Sequence, residues 1–461
     1  MITVPEKKTI LLVACLASFL VPFTGSSITV ALPAMATQFH ADAVTLGWIT
    51  SAYIISAAIF IVPFGRYADI WGRKKIFMYG VLLFTIASFA CACAPSEALL
   101  IVARFIQGIG GAMLFATSVA IVTQVYGPGE RGWALGITIA TVYAGLSLGP
   151  FLGGILTELF GWPAIFLINV PLGLITIALT LKGIHHEWAD AAGEPFDMQG
   201  SILYAGMLFC AIFGMLLLPD PRGIAWIGAG LCGAAAYLWW SKQCSHPILN
   251  PAIFSHNRTF TFSNIAAMIN YGATYGVGVL LSLYLQYIGG FSAGITGLIL
   301  IAQPVIQTIF SPVAGRMSDR VEPRIVATAG MAFTTLGLAF FIFLTPHTPL
   351  YAIIAAQMVL GFGYALFSSP NTNAIMSSVE KKDLGIASGM VATMRSLGQL
   401  LSMAIAMTCF ALIIGPVTIT PSVYPQLMTS VTIAFIIFTL LCMVGVAASY
   451  IRGTIHKDLP S

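Results

Sequence analysis

Two arginines, Arg104 and Arg395, interrupt long apolar stretches of this chain. An arginine in hydrocarbon costs at least about 2.5 kcal/mol unless it is paired or hydrated, so a functional role is the default for each. A guanidinium there can hold an anion or organise neighbouring polar side chains. Gln107 follows Arg104 by one helical turn and is its natural neighbour. The bland alternative for Arg104 is snorkelling toward Glu97. For Arg395 it is pairing with helix carbonyls or with Gln399. A second group of polar residues is Asn264, Asn270, Tyr271, Tyr275, Gln303 and Gln307. Asn270, Tyr271 and Tyr275 share a broad helical face, and Gln303 and Gln307 are four residues apart. Such groups either glue helices together or line a wet pocket with Phe and Met around it.

Other chemistries are poorly supported. The eight cysteines, including Cys91 and Cys93, have neither zinc spacing nor a disulfide pattern. His185 and His186 are adjacent and cannot easily face one metal from a helix. No Gly-Lys-Ser/Thr phosphate loop exists, so ATP is not a direct energy source. No Ser, His and Asp stand in a triad context. These residues imply no cofactor, no metal and no enzyme.

The elements that must position Arg104 and Arg395 follow from composition. Of 461 residues, 58% are hydrophobic and 8% charged, with a net charge of +4. Soluble domains carry roughly 25% charged residues, so a bilayer has to be the solvent for most of this chain. Nucleic-acid binding and disorder are excluded on the same ground. Apolar runs of spanning length lie near 10–32, 46–64, 76–95, 99–123, 133–157, 163–182, 200–218 and 223–240. Six more lie near 260–285, 294–314, 325–345, 349–371, 385–414 and 427–450. The runs are continuous rather than alternating, which predicts helices and not a barrel. The first run, after MITVPEKK, lacks a cleavage site of small residues and reads as a retained span.

Lys and Arg orient these fourteen spans. With the N-terminus inside, seventeen fall in cytoplasmic segments, and only Arg222 falls outside. Both termini are then cytoplasmic, in an inner membrane. Arg104 lies about 10 Å below the outer face, Thr24 at about the same depth, and Arg395 about 16 Å into its span. The Thr24 hydroxyl can hydrogen-bond a guanidinium but cannot exchange a proton near neutral pH. No Asp or Glu sits in the middle of a span. Two cations without an intramembrane acid favour an anionic or zwitterionic ligand.

Gly65-Arg66-Tyr67-Ala68-Asp69 recurs as Gly315-Arg316-Met317-Ser318-Asp319, 250 residues on. The same offset pairs Gly80 with Gly330, Gln107 with Gln357, Gly111 with Gly361 and Glu130 with Glu380. A repeat this long fits a two-half transporter of parallel six-helix repeats. The predicted parts are 1–183, an inserted pair of spans within 184–258, and 259–461. Gly65 and Gly72 permit a tight turn between two spans. Asp69 can sit against a helix N-terminus. Arg73 can pair with an acid across the loop, with Glu130 the candidate. In span five, Gly145, Gly149 and Gly153 line one face, and Pro150 kinks the helix.

Gly65 to Lys75 resembles the signature loop of the major facilitator superfamily, and Arg104 to Gly111 its fourth-span motif. Gly145 to Gly154 resembles the fifth-span antiporter motif. Ala31-Leu32-Pro33, Trp162 to Gly173, and Ala387-Ser388-Gly389 with Arg395 resemble the fourteen-span drug:proton antiporter family of the EmrB/QacA type. The resemblance implies an all-α integral membrane fold of two six-helix bundles plus two inserted spans. It implies that Gly65, Arg66, Asp69, Gly72, Arg73 and Glu130, with Gly315, Arg316, Asp319 and Glu380, form a conformational latch. It implies that the Gly145 face abuts the other half and seals a midplane cavity during rocking. Export of amphipathic, drug-like molecules by alternating access follows, with a monomer as the default and lipid, substrate and protons as partners.

Three departures bear on coupling. That family usually carries an acid where Thr24 stands and an Asn where Thr29 stands. Trp162-Pro163-Ala164 lacks its Arg and second Trp. If protons are coupled, they must use Glu97, Glu158, a histidine or the substrate. The rival expectation is an exporter or facilitator of an anionic or zwitterionic metabolite or lipid without proton antiport.

Overall fold

The computed structural model describes residues 4–126, 131–245, 247–248, 257–379, 384–415 and 417–453. The first part of the chain folds into helices α1 (Val4–Phe39), α2 (Ala43–Trp71), α3 (Arg73–Ala92), α4 (Glu97–Val125) and α5 (Arg131–Phe160). A short α6 (Ala164–Leu167) and α7 (Asn169–Gly183) together make the sixth span. The inserted pair is α8 (Met198–Leu217) and α9 (Pro221–Ser241). Then come α10 (Arg258–Leu283), which runs on as a π-helical turn at Tyr284–Ile288, α11 (Ala293–Leu300) and α12 (Ala302–Arg320). The chain continues as α13 (Pro323–Phe341), α14 (Leu350–Ser377), α15 (Leu384–Ile413) and α16 (Tyr424–Ile451). Fourteen spans are long and apolar enough to cross a bilayer, and no strand occurs among the described residues.

Polar caps and prolines set the helix ends. Asp42 accepts from Thr45 N at 2.7 Å to start α2, and Asn257 accepts from Phe260 N at 2.9 Å to start α10. Two spans are broken, at Ile168 and at Ile301. In each a proline follows three residues later, Pro171 or Pro304, and cannot donate to the carbonyl four residues back.

The chain forms two compact units. One holds Met1–Ala211, Gly228–Ile248 and Ser292–Gly297, and the other Ile212–Ile227, Leu249–Phe291 and Leu298–Ser461. The same helix pairs dominate each. The pairs α1 with α5, α2 with α4 and α3 with α4 recur as α10 with α15, α12 with α14 and α13 with α14.

The repeat is real, but its offset is not constant. A side chain on Gly108 would collide with Ser56 and the Tyr53 carbonyl; one on Gly361 would collide with Ile306 and the Gln303 carbonyl. The α2 positions map onto α12 at 250, while the α4 position maps onto α14 at 253. Gly110 against Gly80 and Phe84 repeats as Gly363 against Gly330 and Thr334, with the same two offsets. The pairing of Gly111 with Gly361 and of Gln107 with Gln357 is therefore corrected. The cause is a longer connection: Ile342–Pro349 joins α13 to α14, where only Cys93–Ser96 joins α3 to α4.

Candidate functional site

Arg104 is enclosed inside the first unit, with 1% of its surface exposed. Its Nε donates to the Ile49 carbonyl at 3.3 Å, and its Nη1 donates to Gln107 Oε1 at 2.6 Å. Gln107 Nε2 donates in turn to Ser88 Oγ at 2.8 Å. The guanidinium lies 4.5 Å from the Tyr53 ring centre and 5.7 Å from that of Phe166. Four spans converge on it, through α2, α3, α4 and α6. Cation–π contacts of this kind contribute about 0.5–2 kcal/mol each. The expected Gln107 neighbour is in place, and the snorkelling alternative is not, because the head group reaches no interface. Thr24 does not reach Arg104. Its hydroxyl donates to the Leu20 carbonyl at 2.8 Å and lies 3.1 Å from Asn169 Oδ1, which links α1 to α7. Thr29 is tied to its own helix, donating to the Ser26 carbonyl at 2.8 Å.

The corrected register identifies the equivalent of Arg104 in the second unit. It is Gln357, also buried, whose Nε2 donates to the Ile299 carbonyl at 3.5 Å. Ile299 stands 250 residues after Ile49, and Gln357 stands 253 after Arg104. One carbonyl is thus met by a cation in one unit and by a neutral amide in the other. Around Gln357 the counterparts of Gln107 and Ser88 are Leu360 and Leu338, both buried.

The second unit carries its cation elsewhere. Arg395 lies in α15, 5.4 Å from the ring centre of Tyr271 on α10. Tyr271 meets Tyr364 of α14 edge to face at 5.6 Å. All three side chains are half-buried. Next to Tyr271, Asn270 is fully buried, and neither of its side-chain polar atoms has a protein partner. Such an amide costs about 1–3 kcal/mol per unmet atom unless water or ligand meets it. Tyr275 and Gln303 are half-buried, and Gln307 is buried. Tyr364 was not evident from sequence because its run shows no polar periodicity.

At the Lys/Arg-rich end of the first unit, the signature segment is mostly helix. Gly65 lies inside α2, so it does not make the turn; Gly72 alone does, at φ +122°. The partners of the basic residues come from the segment after α7. Arg73 Nη1 pairs with Asp190 at 2.9 Å, its Nη2 with Asp69 at 2.8 Å, and Arg66 with Glu194 at 2.5 Å. The backbone joins in: Arg73 N donates to the Trp188 carbonyl at 2.8 Å and Ala191 N to the Asp69 carbonyl at 3.0 Å. Glu187 accepts from Lys74 N at 2.8 Å, capping α3, and Glu6 accepts from His185 N at 3.0 Å. Asp69 faces Arg73 rather than a helix N-terminus. Residues 184–197 thus form a strap across the signature segment. Its acids stand at 187, 190, 194 and 197, between α7 and α8.

Glu130, Glu380 and the side chain of Asp319 lie outside the described residues, and so does the expected Arg73–Glu130 contact. Gly315 is half-buried and Arg316 exposed at the end of α12. In the second unit the buried cation at this end is Arg452, counted from sequence only as a topological charge. Its Nη1 donates to Asn371 Oδ1 at 2.7 Å and to Ser263 Oγ at 3.4 Å, and its Nη2 donates to the Pro323 carbonyl at 2.5 Å.

The glycine face of α5 is occupied by α1. Side chains at Gly145, Gly149 and Gly153 would strike Phe19, Ser26 and Ser27. This corrects the expectation that the face meets the other half, since the spacing lets two backbones touch and α1 takes that groove. The Pro150 carbonyl instead approaches Gly297. Of the acids read from sequence as outer, Glu158 accepts from Ser292 Oγ at 2.9 Å and Gly294 N at 3.0 Å, starting α11. Glu97 opens α4, where the helix dipole favours an anion. Arg222, hydrogen-bonded 2.7 Å away, holds the Asp220 carboxyl below the usual carboxylate range.

With fourteen spans and two repeats of one packing scheme established, known proteins add the family. The model of the Major Facilitator Superfamily matches residues 14–195 and 264–460, which leaves out the inserted pair. The chain belongs to this superfamily. Among its relatives is the riboflavin transporter RibZ of Clostridioides difficile (strain 630), 30% identical over 409 residues, 88% of this chain and 89% of that one. The multidrug resistance protein Stp of Mycobacterium tuberculosis (strain CDC 1551 / Oshkosh) is 29% identical over 85% of this chain and 73% of its own. A bacterial homologue of the human lysosomal transporter Spinster, inward-facing and unoccupied, shares the fold. Its TM-score is 0.68 at 17% identity, covering 98% of this chain and 97% of that one. This major facilitator is a multi-pass membrane transporter of small molecules, not an enzyme.

Proposed function

We propose that this major facilitator exports amphipathic small molecules by alternating access, and that Arg395 and Tyr271 face the substrate. The supporting observation is the contrast in exposure. Arg104 is sealed among four spans, whereas Arg395 is only half-buried near the middle of its span. A half-buried guanidinium at that depth fits a polar space within the protein. The unmet amide of Asn270 one residue from Tyr271 points the same way. The printed names of two relatives, a riboflavin transporter and a multidrug resistance protein, support a small organic substrate.

In this reading Arg104 and Gln107 brace the first unit, with Thr24 and Thr29 beside them. Asn270, Tyr275, Gln303 and Gln307 line the substrate path in the second unit. Arg66, Asp69, Gly72 and Arg73 remain a conformational latch, with Asp190 and Glu194 as its acids. Gly65, Gly315, Arg316 and Asp319 complete it, with Glu130 and Glu380. The parts 1–183, 184–258 and 259–461 are retained as first repeat, insertion and second repeat. The Lys/Arg-rich loops support a reading with both termini in the cytoplasm and the protein in an inner membrane. The chain acts as a monomer, surrounded by lipid.

A second reading has its own support. No carboxylate lies mid-span in the sequence. Transport of an anionic or zwitterionic metabolite or lipid without proton antiport fits that composition. Under the first reading, protons must use Glu97, Glu158, a histidine or the substrate. Purified protein in liposomes with an imposed pH gradient separates the two. Collapse of the gradient as a compound moves supports antiport. Movement of compounds with the gradient untouched supports the second reading. No movement of any amphipathic compound contradicts export altogether.

A further inference from the structure

We propose that the second unit holds a second small-molecule site, a cavity beside His347 that takes single-ring aromatic carboxylates. Arg395 is not among its walls, and the inference does not depend on the export reading. The cavity measures about 210 Å³ and lies between the end of α10 and the connection from α13 to α14. Arg452 sits at the other end of α10, where its carbonyl accepts from Thr259 Oγ1. An apolar cavity of about 150 Å³ already holds benzene, so a single ring with one small substituent fits here.

Two departures from regular structure make the space. The end of α10 runs on as the π-helical turn Tyr284–Ile288, where Gly289 N donates to the Tyr284 carbonyl at 3.0 Å. Such turns are frequent at functional sites. Gly290 then adopts φ +67°, and the Phe291 ring lies against Gly289. The opposite wall is the connection Ile342–Pro349, longer than its first-repeat counterpart Cys93–Ser96. Within it Thr345 N donates to Thr348 Oγ1 at 2.8 Å. The Tyr284 hydroxyl donates to the Thr345 carbonyl at 2.7 Å and ties the two walls together.

The chemistry of the walls selects the ligand. Tyr284, Phe291, Pro346, Leu350 and Ile353 supply rings and aliphatic surface. A flat ring gains edge-to-face contact there beyond the area it buries. No Asp, Glu, Lys or Arg lines the cavity, so its charge is set by His347. The other titratable wall group, the Tyr284 phenol, is engaged with Thr345. The His347 side chain is exposed and has no hydrogen-bond partner among the described residues. Protonated, it donates a charge-assisted hydrogen bond to a carboxylate, whereas an ammonium meets no acid. Affinity should therefore rise as pH falls from about 8 to about 5.5, the interval in which histidines gain charge. It should fall again near 4, where the ligand carboxylate takes up a proton.

The test titrates the full-length protein in nanodiscs with benzoate, cyclohexanecarboxylate and benzylamine. Empty nanodiscs correct for partition into lipid. Benzoate should bind about tenfold tighter at about pH 5.5 than at about pH 8, and about tenfold tighter than benzylamine at the lower pH. Cyclohexanecarboxylate should bind about threefold weaker than benzoate. His347→Gln should remove the pH dependence. Leu350→Trp fills the cavity and should abolish benzoate binding at either pH. Thermal unfolding of each variant shows that it is folded. Equal or tighter binding of benzylamine overturns the proposal, as does the absence of saturable benzoate binding. Benzoate binding that keeps its pH dependence in His347→Gln, or survives Leu350→Trp, overturns it too, because the ligand then sits elsewhere.

Discussion

The fourth helices of the two repeats solve one packing problem with different charges. In each, a glycine lets the helix press against the second span of its repeat, Gly108 in one and Gly361 in the other. Four residues earlier, a side chain donates to a carbonyl on that partner, Arg104 to Ile49 and Gln357 to Ile299. The carbonyl needs a donor, and a neutral amide suffices. Gln107, Ser88 and the rings of Tyr53 and Phe166 house the extra charge of Arg104. The second repeat has Leu360 and Leu338 at the Gln107 and Ser88 places, and Gln303 at the Tyr53 place. Intramembrane charge is therefore not in itself a mark of a ligand site. Exposure separates Arg104 from Arg395.

The sharpest way to break the comparison is to move the charge. Gln357→Arg places a cation where Leu360 and Leu338 replace the amide and hydroxyl that serve Arg104 in the first repeat. We expect a loss of several kcal/mol, at least about 3, and little folded protein by size-exclusion chromatography. Normal yield would show that the leucines do not enclose that site. Arg104→Ala comes next, at about 3 kcal/mol, because it leaves a void and strands Gln107. Arg104→Gln copies the second repeat and should recover most of that loss in thermal unfolding. Were Arg104→Gln as damaging as Arg104→Ala, the charge itself would be required.

The Lys/Arg-rich ends sharpen the same contrast at smaller scale. The second unit buries Arg452 and hydrogen-bonds it to neutral acceptors, with the Glu322 charge near enough to act on it, while the first uses partly exposed ion pairs. Arg452→Ala should cost about 2 kcal/mol, since Asn371 and Ser263 lose a buried donor. Asp190→Asn with Glu194→Gln should cost only about 1 kcal/mol in total. Its signature is local, a roughly fivefold faster hydrogen exchange of the Ala191 and Arg73 amides. Unchanged exchange would mean that the strap is held by its backbone alone. Asp220→Asn should change nothing measurable. Its lowered pKa means any contribution is complete above the ordinary carboxylate range and is lost as pH falls through the lowered value. An exposed pair leaves almost nothing to lose, so acid unfolding of the variant should match the parent.

The fold was legible because its signals are long and redundant. Continuous apolar runs and one-sided Lys/Arg loops identify fourteen spans without tertiary knowledge. The repeat was legible at Gly65 to Asp69, where no insertion intervenes. It was misread at Gln357 and Gly361, because chance matches at an offset of 250 concealed the longer connection before α14. Partners across space were the hardest to read. Gln107 was found because it shares a helix with Arg104. Asp190, Glu194 and Asn371 were not, because their roles arise only when separate helices meet. Arg452 looked like a topological charge because a helix end gives no sign of burial.

The most direct test sets the two intramembrane arginines side by side. Counterflow of 2-naphthoate and 2-naphthylmethylammonium would be measured in liposomes for Arg104→Gln and Arg395→Gln. The account predicts that Arg104→Gln keeps the parent's preference between the two probes, and that Arg395→Gln loses it. Loss of the preference in Arg104→Gln, with Arg395→Gln unchanged, would contradict the assignment of the ligand-facing charge to the second unit.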